Sequence, residues 1–212
     1  MRVVEKEVFQ FEELDEGAKE KVRDWYREGA FNESYAWEFV FDHAVRMGEI
    51  IGIDIDTHPV KLMGGGTCHN PTIYFSGFWS QGDGACFEGS YHYRKGASKT
   101  IRKEAPGDKE LHRIADELQD IQRRHFYKLT AVTAHRGHYN HSGCMQVSVE
   151  HDDDRYRDIG DAEDVVTQCL WDFADWIYAQ LQAEYEYQAS DEVVDENIVS
   201  NGYEFNEDGS IY

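Results

Sequence analysis

The sequence lacks several things, and each absence narrows what the protein does. No apolar run approaches the ~20 residues of a membrane-spanning helix, and the opening MRVVEKEVFQ is not built like an export signal. A protein of the cytoplasm with no membrane partner is therefore expected. Positive charge is short: 21 Lys and Arg stand against 42 Asp and Glu, for a formal net charge of −21. Nucleic-acid binding needs basic side chains that displace counterions from phosphates, so no direct DNA or RNA partner is expected. The same field repels anionic membrane and attracts basic protein surfaces. CxxC spacing is absent among Cys68, Cys86, Cys144 and Cys169, which reads as reduced thiols in a reducing compartment. Repeats and low-complexity segments are missing, as are the GxxxxGK[ST] phosphate loop and EF-hand spacing. No cofactor is expected, and no catalytic signature stands out.

What the sequence does have is apolar content and an uneven charge. With 41% hydrophobic and 14% aromatic residues it can bury a core, and its length favours one elaborated domain over residues 1–212. Residues 151–212 hold 18 Asp and Glu against Arg155 and Arg157, a net of −16, while residues 1–150 carry a net of −5. This acidic, helical C-terminal portion is not expected to fold by itself.

The stretch Ile73–Tyr93 is the centre of the reading. Aromatics flank Gln81-Gly82-Asp83-Gly84, which supplies the Asp-Gly pair and spare glycines of a tight hairpin turn. A loose alternation over Val3–Phe11 predicts an opening strand. Helical spacing predicts helices over about 15–28 and 34–50. Short strands follow at 53–56 and 60–63, before the Gly64-Gly65-Gly66 loop. Asp108 caps a third helix with Leu111, Ile114, Ala115, Leu118 and Ile121 in a stripe. Strands at 128–135 and 144–150 form a second hairpin, a long helix opens at Asp161, and a short one spans 191–199. Glu207-Asp208-Gly209 reads as a turn. The predicted class is α+β: a curved antiparallel sheet of four to six strands built on a central hairpin, with helices on one face.

Four groups of residues carry chemistry worth naming. His135, His138, His141 and Cys144 fall three apart, and imidazole with thiolate suits a transition metal. On a strand that spacing sends successive residues to opposite faces, so turn histidines are the preferred reading and no metal is expected. Cys86 or Cys144 beside a histidine is a conceivable nucleophilic pair, with buried thiols the ordinary alternative. Trp79, Gln81 and Asp83 at a loop tip suit partner recognition, because aromatic anchors dominate interfaces. Asp152, Asp153, Asp154, Asp158, Asp191, Glu192, Asp195 and Glu196 form an acidic surface that the helix dipole does not explain. Asp161, Asp164, Asp172, Asp175 and Glu186 can extend it into a row that mimics nucleic-acid phosphates. Arg94, Lys95, Lys99, Arg102 and Lys103 make the one basic run, which can pair with the acidic tail in a weak, salt-sensitive homo-oligomer.

The segments FEELDEGAKEKVRDWYREG, FSGFWSQGDGACFEG, RGHYNHSGCM and LQAEYEYQASDEVVDENIVSNGYEFNEDG together resemble a functionally uncharacterised family of acidic phage and prophage proteins. The resemblance implies a phage-encoded protein of the host cytoplasm and carries no catalytic residues. The leading expectation is a non-enzymatic factor that binds a host protein with a basic surface, in host takeover or anti-defence. The alternatives are a metalloprotein or enzyme using the His135–Cys144 hairpin, and a phage structural or assembly component.

Overall fold

The computed structural model describes residues 6–30, 37–153 and 158–212. The expectations for Val3 to Glu5, for the start of the second helix at Ser34 to Ala36, and for Asp154 lie outside them. Two compact units emerge, one from Met1–Glu38 with Ala183–Tyr212 and the other from Phe39–Gln182.

In the first unit, α1 (Glu16–Ala30) starts where the carboxylate of Asp15 accepts the Ala18 amide at 2.8 Å. Its apolar stripe, Ala18 and Val22, packs with Phe11, Leu14, Val194, Ile198 and Phe205 into a small buried cluster. Val194 and Ile198 come from α6 (Asp191–Asn201), whose N-cap Ser190 accepts the Val193 amide. Phe205 bridges to Phe9 on one side and Ile211 on the other. The turn expected at Glu207 to Gly209 is present, with the Gly209 amide bonded to Asn206 O at 2.9 Å.

Among the described residues of the second unit, eight strands form three antiparallel sheets. β1 (Ile53–Ile55), β6 (Gly89–His92), β7 (Leu129–His135) and β8 (Met145–His151) make a four-stranded sheet in the order β1-β6-β7-β8. β2 (Thr57–Lys61) pairs with β3 (Thr67–Pro71), and β4 (Ile73–Phe75) pairs with β5 (Ala85–Phe87). The four-stranded sheet shows the alternation of a half-buried sheet. Ile53, Ile55, Tyr91, Leu129, Ala131 and Met145 are buried, while Val132, Gln146, Ser148 and Glu150 are exposed. The α+β reading with antiparallel sheets therefore holds.

The unit's helices are α2 (Glu38–Ile51), α3 (Ala97–Glu104), α4 (Lys109–Arg124) and α5 (Ala162–Gln188). α4 begins as its sequence says, with Asp108 accepting the Leu111 amide at 2.9 Å and the predicted stripe buried. The other oxygen of Asp108 accepts the indole N–H of Trp176 on α5 at 2.7 Å. Phe173 of α5 meets Phe87 edge-on and stacks on Trp176. Fully buried Gln122 clasps the start of β7, donating to Leu129 O at 2.7 Å and accepting from its N–H at 3.1 Å. No helix among the described residues is long and apolar enough to cross a membrane.

Two local expectations change. The 60–63 strand is shifted: β2 ends at Lys61, and Leu62 and Met63 are exposed in the turn to β3. The tight turn at 81–84 is replaced by a longer tip over residues 76–84, because Phe75 pairs with Ala85. Within it the Asp83 amide bonds to Ser80 O at 3.1 Å, with Gly82 at φ +93°, a type II arrangement. The Asp83 carboxylate accepts the amides of Trp79 (2.8 Å) and Ser80 (2.6 Å), so the side chain that suggested a two-residue turn instead ties down a wider one.

Candidate functional site

The two loops singled out separately by sequence, 76–84 and 136–144, pack on each other. A side chain on Gly82 would sit 2.4 Å from the Tyr139 ring, and one on Gly84 would fall 2.7 Å from His141 Cβ. Only glycine permits this approach. Beneath the tip, Phe75 and Phe78 pack with each other and with Tyr178 of α5. Burial, and then the charge of Asp83, raise the Tyr178 pKa. At the top, Trp79 is 82% and Tyr139 54% exposed, with Gln81 and His138 also exposed. The paired loops thus present aromatic and polar groups on a braced base.

The histidines of this tip have defined roles. His135 stacks on Tyr74 at 4.5 Å between centroids, and its Nε2 lies 3.0 Å from Tyr139 O. His138 meets Tyr139 edge-on, and His141 lies parallel to the Tyr139 ring. His141 Nε2 is 3.6 Å from Cys144 Sγ, the geometry in which an imidazole can take a thiol proton. Cys86 is buried, and that burial first, then Cys144 and Glu88, push its thiol up to about 12. Cys169 is pushed up as well, chiefly by burial. The four candidate metal ligands are not gathered: among the described residues no group of three His, Cys, Asp or Glu is placed to hold a metal ion. Only His135 lies on a strand; His138 and His141 are in the loop that follows β7, and Cys144 closes the short 3-10 turn before β8.

Below the tip lies an arrangement that reading the sequence did not single out. Asp56, Thr72 and Glu88 are the single residues separating β1 from β2, β3 from β4 and β5 from β6. Their backbones close a ring of three hydrogen bonds: Asp56 N–H to Glu88 O (2.8 Å), Thr72 N–H to Asp56 O (2.7 Å) and Glu88 N–H to Thr72 O (3.0 Å). At this point strands leave one sheet and enter another. The Glu88 carboxylate accepts the His135 amide at 3.1 Å, and the Tyr74 pKa is raised by burial first and then by the charge of Glu88. Asp56, Thr57, His58, Thr72, Tyr74 and Glu88 line an open cleft of about 600 Å³. A lone polar residue between two short alternating stretches is the only sequence signal such a junction leaves.

The profile of a domain of unknown function, DUF8835, matches residues 36–191. The chain belongs to the DUF8835 family. No curated protein and no solved structure matches it. The match to DUF8835 takes in the paired loops, the junction and the cleft, and ends within the acidic residues, at Asp191.

The acidic candidates of this DUF8835 chain fall in both units. Asp152, Asp153 and Asp158 belong to the unit of residues 39–182, and Asp191, Glu192, Asp195 and Glu196 to the other. Asp153 is near Lys128 Nζ at 3.6 Å, and Asp158 accepts the Gly160 amide. Asp195 grips Arg23 through both oxygens, at 2.7 and 2.8 Å, and Asp191 pairs with Arg27. Glu192 and Glu196 point into solvent as exposed residues of α6. Just before α5, Asp161 pairs with Arg124 at 2.9 Å, and on α5 Asp172 is drawn against Arg113 at 2.6 Å with its side chain 16% exposed. The expected outward row on α5 is therefore broken at Asp172, because Arg113 of α4 reaches it. The basic run is likewise partly spent: Arg102 holds Asp116 with two bonds, and Arg94 lies 3.6 Å from Asp54.

Proposed function

We propose that this DUF8835 protein is a non-enzymatic binding protein that docks a basic protein surface, with the paired loop tip as its specific contact. The observation that carries the reading is the packing of loop 76–84 against loop 136–144, which leaves Trp79, Gln81, His138 and Tyr139 exposed on a supported base. Aromatic side chains held in this way are the usual anchors of interfaces. The net charge of −21 steers basic partners toward it and keeps nucleic acid away. Glu192 and Glu196, with Asp152 and Asp158, supply exposed carboxylates for that steering. They can also compete with nucleic acid for a basic groove. Asp191 and Asp195 drop out of this surface, since their charge is engaged by Arg27 and Arg23. The resemblance to phage-encoded acidic proteins makes a host protein of the bacterial cytoplasm the partner class, in takeover or anti-defence.

The test is affinity capture from bacterial lysate with the parent, with a Trp79→Ala/Gln81→Ala variant and with a Glu192→Gln/Glu196→Gln variant. A partner held at low salt, weakened at high salt and lost with the loop variant is expected. The charge variant should mainly weaken capture at low salt. A partner that the loop variant holds as firmly as the parent does would refute the proposed contact.

A further inference from the structure

The junction of Asp56, Thr72 and Glu88 puts two carboxylates where a sheet does not favour them. Continuing the β1–β6 register past Ile55 and Gly89 by one position sets Asp56 directly opposite Glu88, as the 2.8 Å backbone bond between them shows. Like charges facing each other across strands destabilise a pair. Two positions back, Asp54 is provided for: Arg94 lies 3.6 Å and His92 3.2 Å from its carboxylate. The Asp56–Glu88 pair has no such provision within the cleft, whose six lining residues include no Lys or Arg. The surrounding groups are hydroxyls of Thr57, Thr72 and Tyr74 and the imidazole of His58, whose Nδ1 lies 3.3 Å from Thr72 Oγ1.

We infer that this cleft is a binding site for an organic cation, specifically an alkylguanidinium whose fork bridges the Asp56 and Glu88 carboxylates. Anions are excluded by the two negative charges facing the cleft. A bare metal ion is a poor occupant, because among the described residues no three ligating side chains converge. The cleft, at about 600 Å³, has room for a planar head and its alkyl stem. A guanidinium suits two separated acceptors better than an ammonium does, because its five donors lie in a fixed plane. Tyr74 adds an aromatic ring of the kind that attracts such cations. Glu88 is pre-positioned by the His135 amide, and Asp56 by the backbone ring. The occupant is an arginine side chain of another protein or a free small guanidine. The inference rests on the cleft alone and stands apart from the loop-tip reading.

The experiment is an NMR titration of the full chain, following the ring resonances of His58 and Tyr74. The probes are L-arginine methyl ester, the uncharged L-citrulline methyl ester and a capped Gly-Arg-Gly peptide. Saturable shifts are expected with the arginine ester, at least about tenfold tighter than with citrulline, the difference a charge-assisted bond makes. Asp56→Asn and Glu88→Gln should each weaken binding by about tenfold or more. Both variants keep the backbone ring, and circular dichroism checks that each stays folded before titration. Peptide binding at least as tight as the ester's identifies a protein arginine, and ester binding alone identifies a small guanidine; either upholds the site. Equal shifts with citrulline, no shift with the arginine ester, or a folded Asp56→Asn variant that binds as the parent does would overturn it. Capture of a protein partner by the loop tip is read separately and does not enter this outcome.

Discussion

Residues 1–38 and 183–212 carry 20 Asp and Glu against six Lys and Arg, a net of −14, while residues 39–182 carry 22 against 15, a net of −7. The smaller unit thus holds two-thirds of the excess charge on about one-third of the chain, and among the described residues it closes over a cluster of seven buried ones. Its arginines are turned to structural use. Arg23 is only 8% exposed, lies 5.7 Å from the Phe11 ring, and is met by Glu16, Glu20 and Asp195. In the larger unit some ion pairs, unlike Arg113–Asp172, have both partners in solvent. Arg102–Asp116 and Arg113–Glu117 are pairs in which each side chain is more than a third exposed, and such pairs contribute ~0–1 kcal/mol. A small core must lean on paired charge, whereas a larger one is held by burial and can leave its charge in water.

That contrast can be broken by experiment. The largest effect is expected in the larger unit from Phe173→Ala, which removes a fully buried ring between Phe87 and Trp176 and should cost about 4 kcal/mol. Hydrogen exchange should show the loss across β5 to β8. Next comes Asp195→Asn, which leaves the inward-facing Arg23 without its two-bond partner. Asp195 is 31% exposed, which tempers the penalty to about 2–3 kcal/mol. Here exchange should quicken in α1 and α6. If both substitutions lower protection equally in both units, the division between a burial-held unit and a charge-held unit is not an energetic one.

The smallest effect sharpens the comparison through pH. Burial first, then His151 and Arg124, hold the His125 pKa below its ordinary 6.5. A lowered folded-state value favours the neutral imidazole, so its contribution is complete above about pH 6.5 and is lost as pH falls below it. The melting temperature should therefore decline on mild acidification, and His125→Gln should flatten that decline. A profile that His125→Gln leaves unchanged would place the pH sensitivity elsewhere.

Much of the fold was legible where local rules decide. Asp108 as a cap, the α4 stripe and the alternation of β7 and β8 all follow from neighbours in sequence. α3 was hidden inside the basic run because only Ala97, Ser98 and Ile101 of its eight residues are buried, too few to show a stripe. β3 was missed for a similar reason: Thr67-Cys68-His69-Asn70-Pro71 pairs with β2 at the surface and carries no apolar alternation. Of the site, both loops drew notice for their residue types, yet their union did not, because the contact of Gly82 with Tyr139 joins segments with no common pattern.

The sequence by itself determined the composition of the interior, the excess of negative charge and its concentration near the C-terminus, since these are sums over residues that folding cannot alter. Periodicity determined most helices and the second hairpin, because repeats of 3.6 and 2 are local. Only the tertiary structure decided which charges remain in solvent. Arg23 and Asp195 stand 172 positions apart, and nothing near either one announces the other. The same holds for Asp56 facing Glu88 at the strand junction. Pairing across a fold depends on strand register and helix packing, which bring distant residues together through contacts that neither residue makes alone.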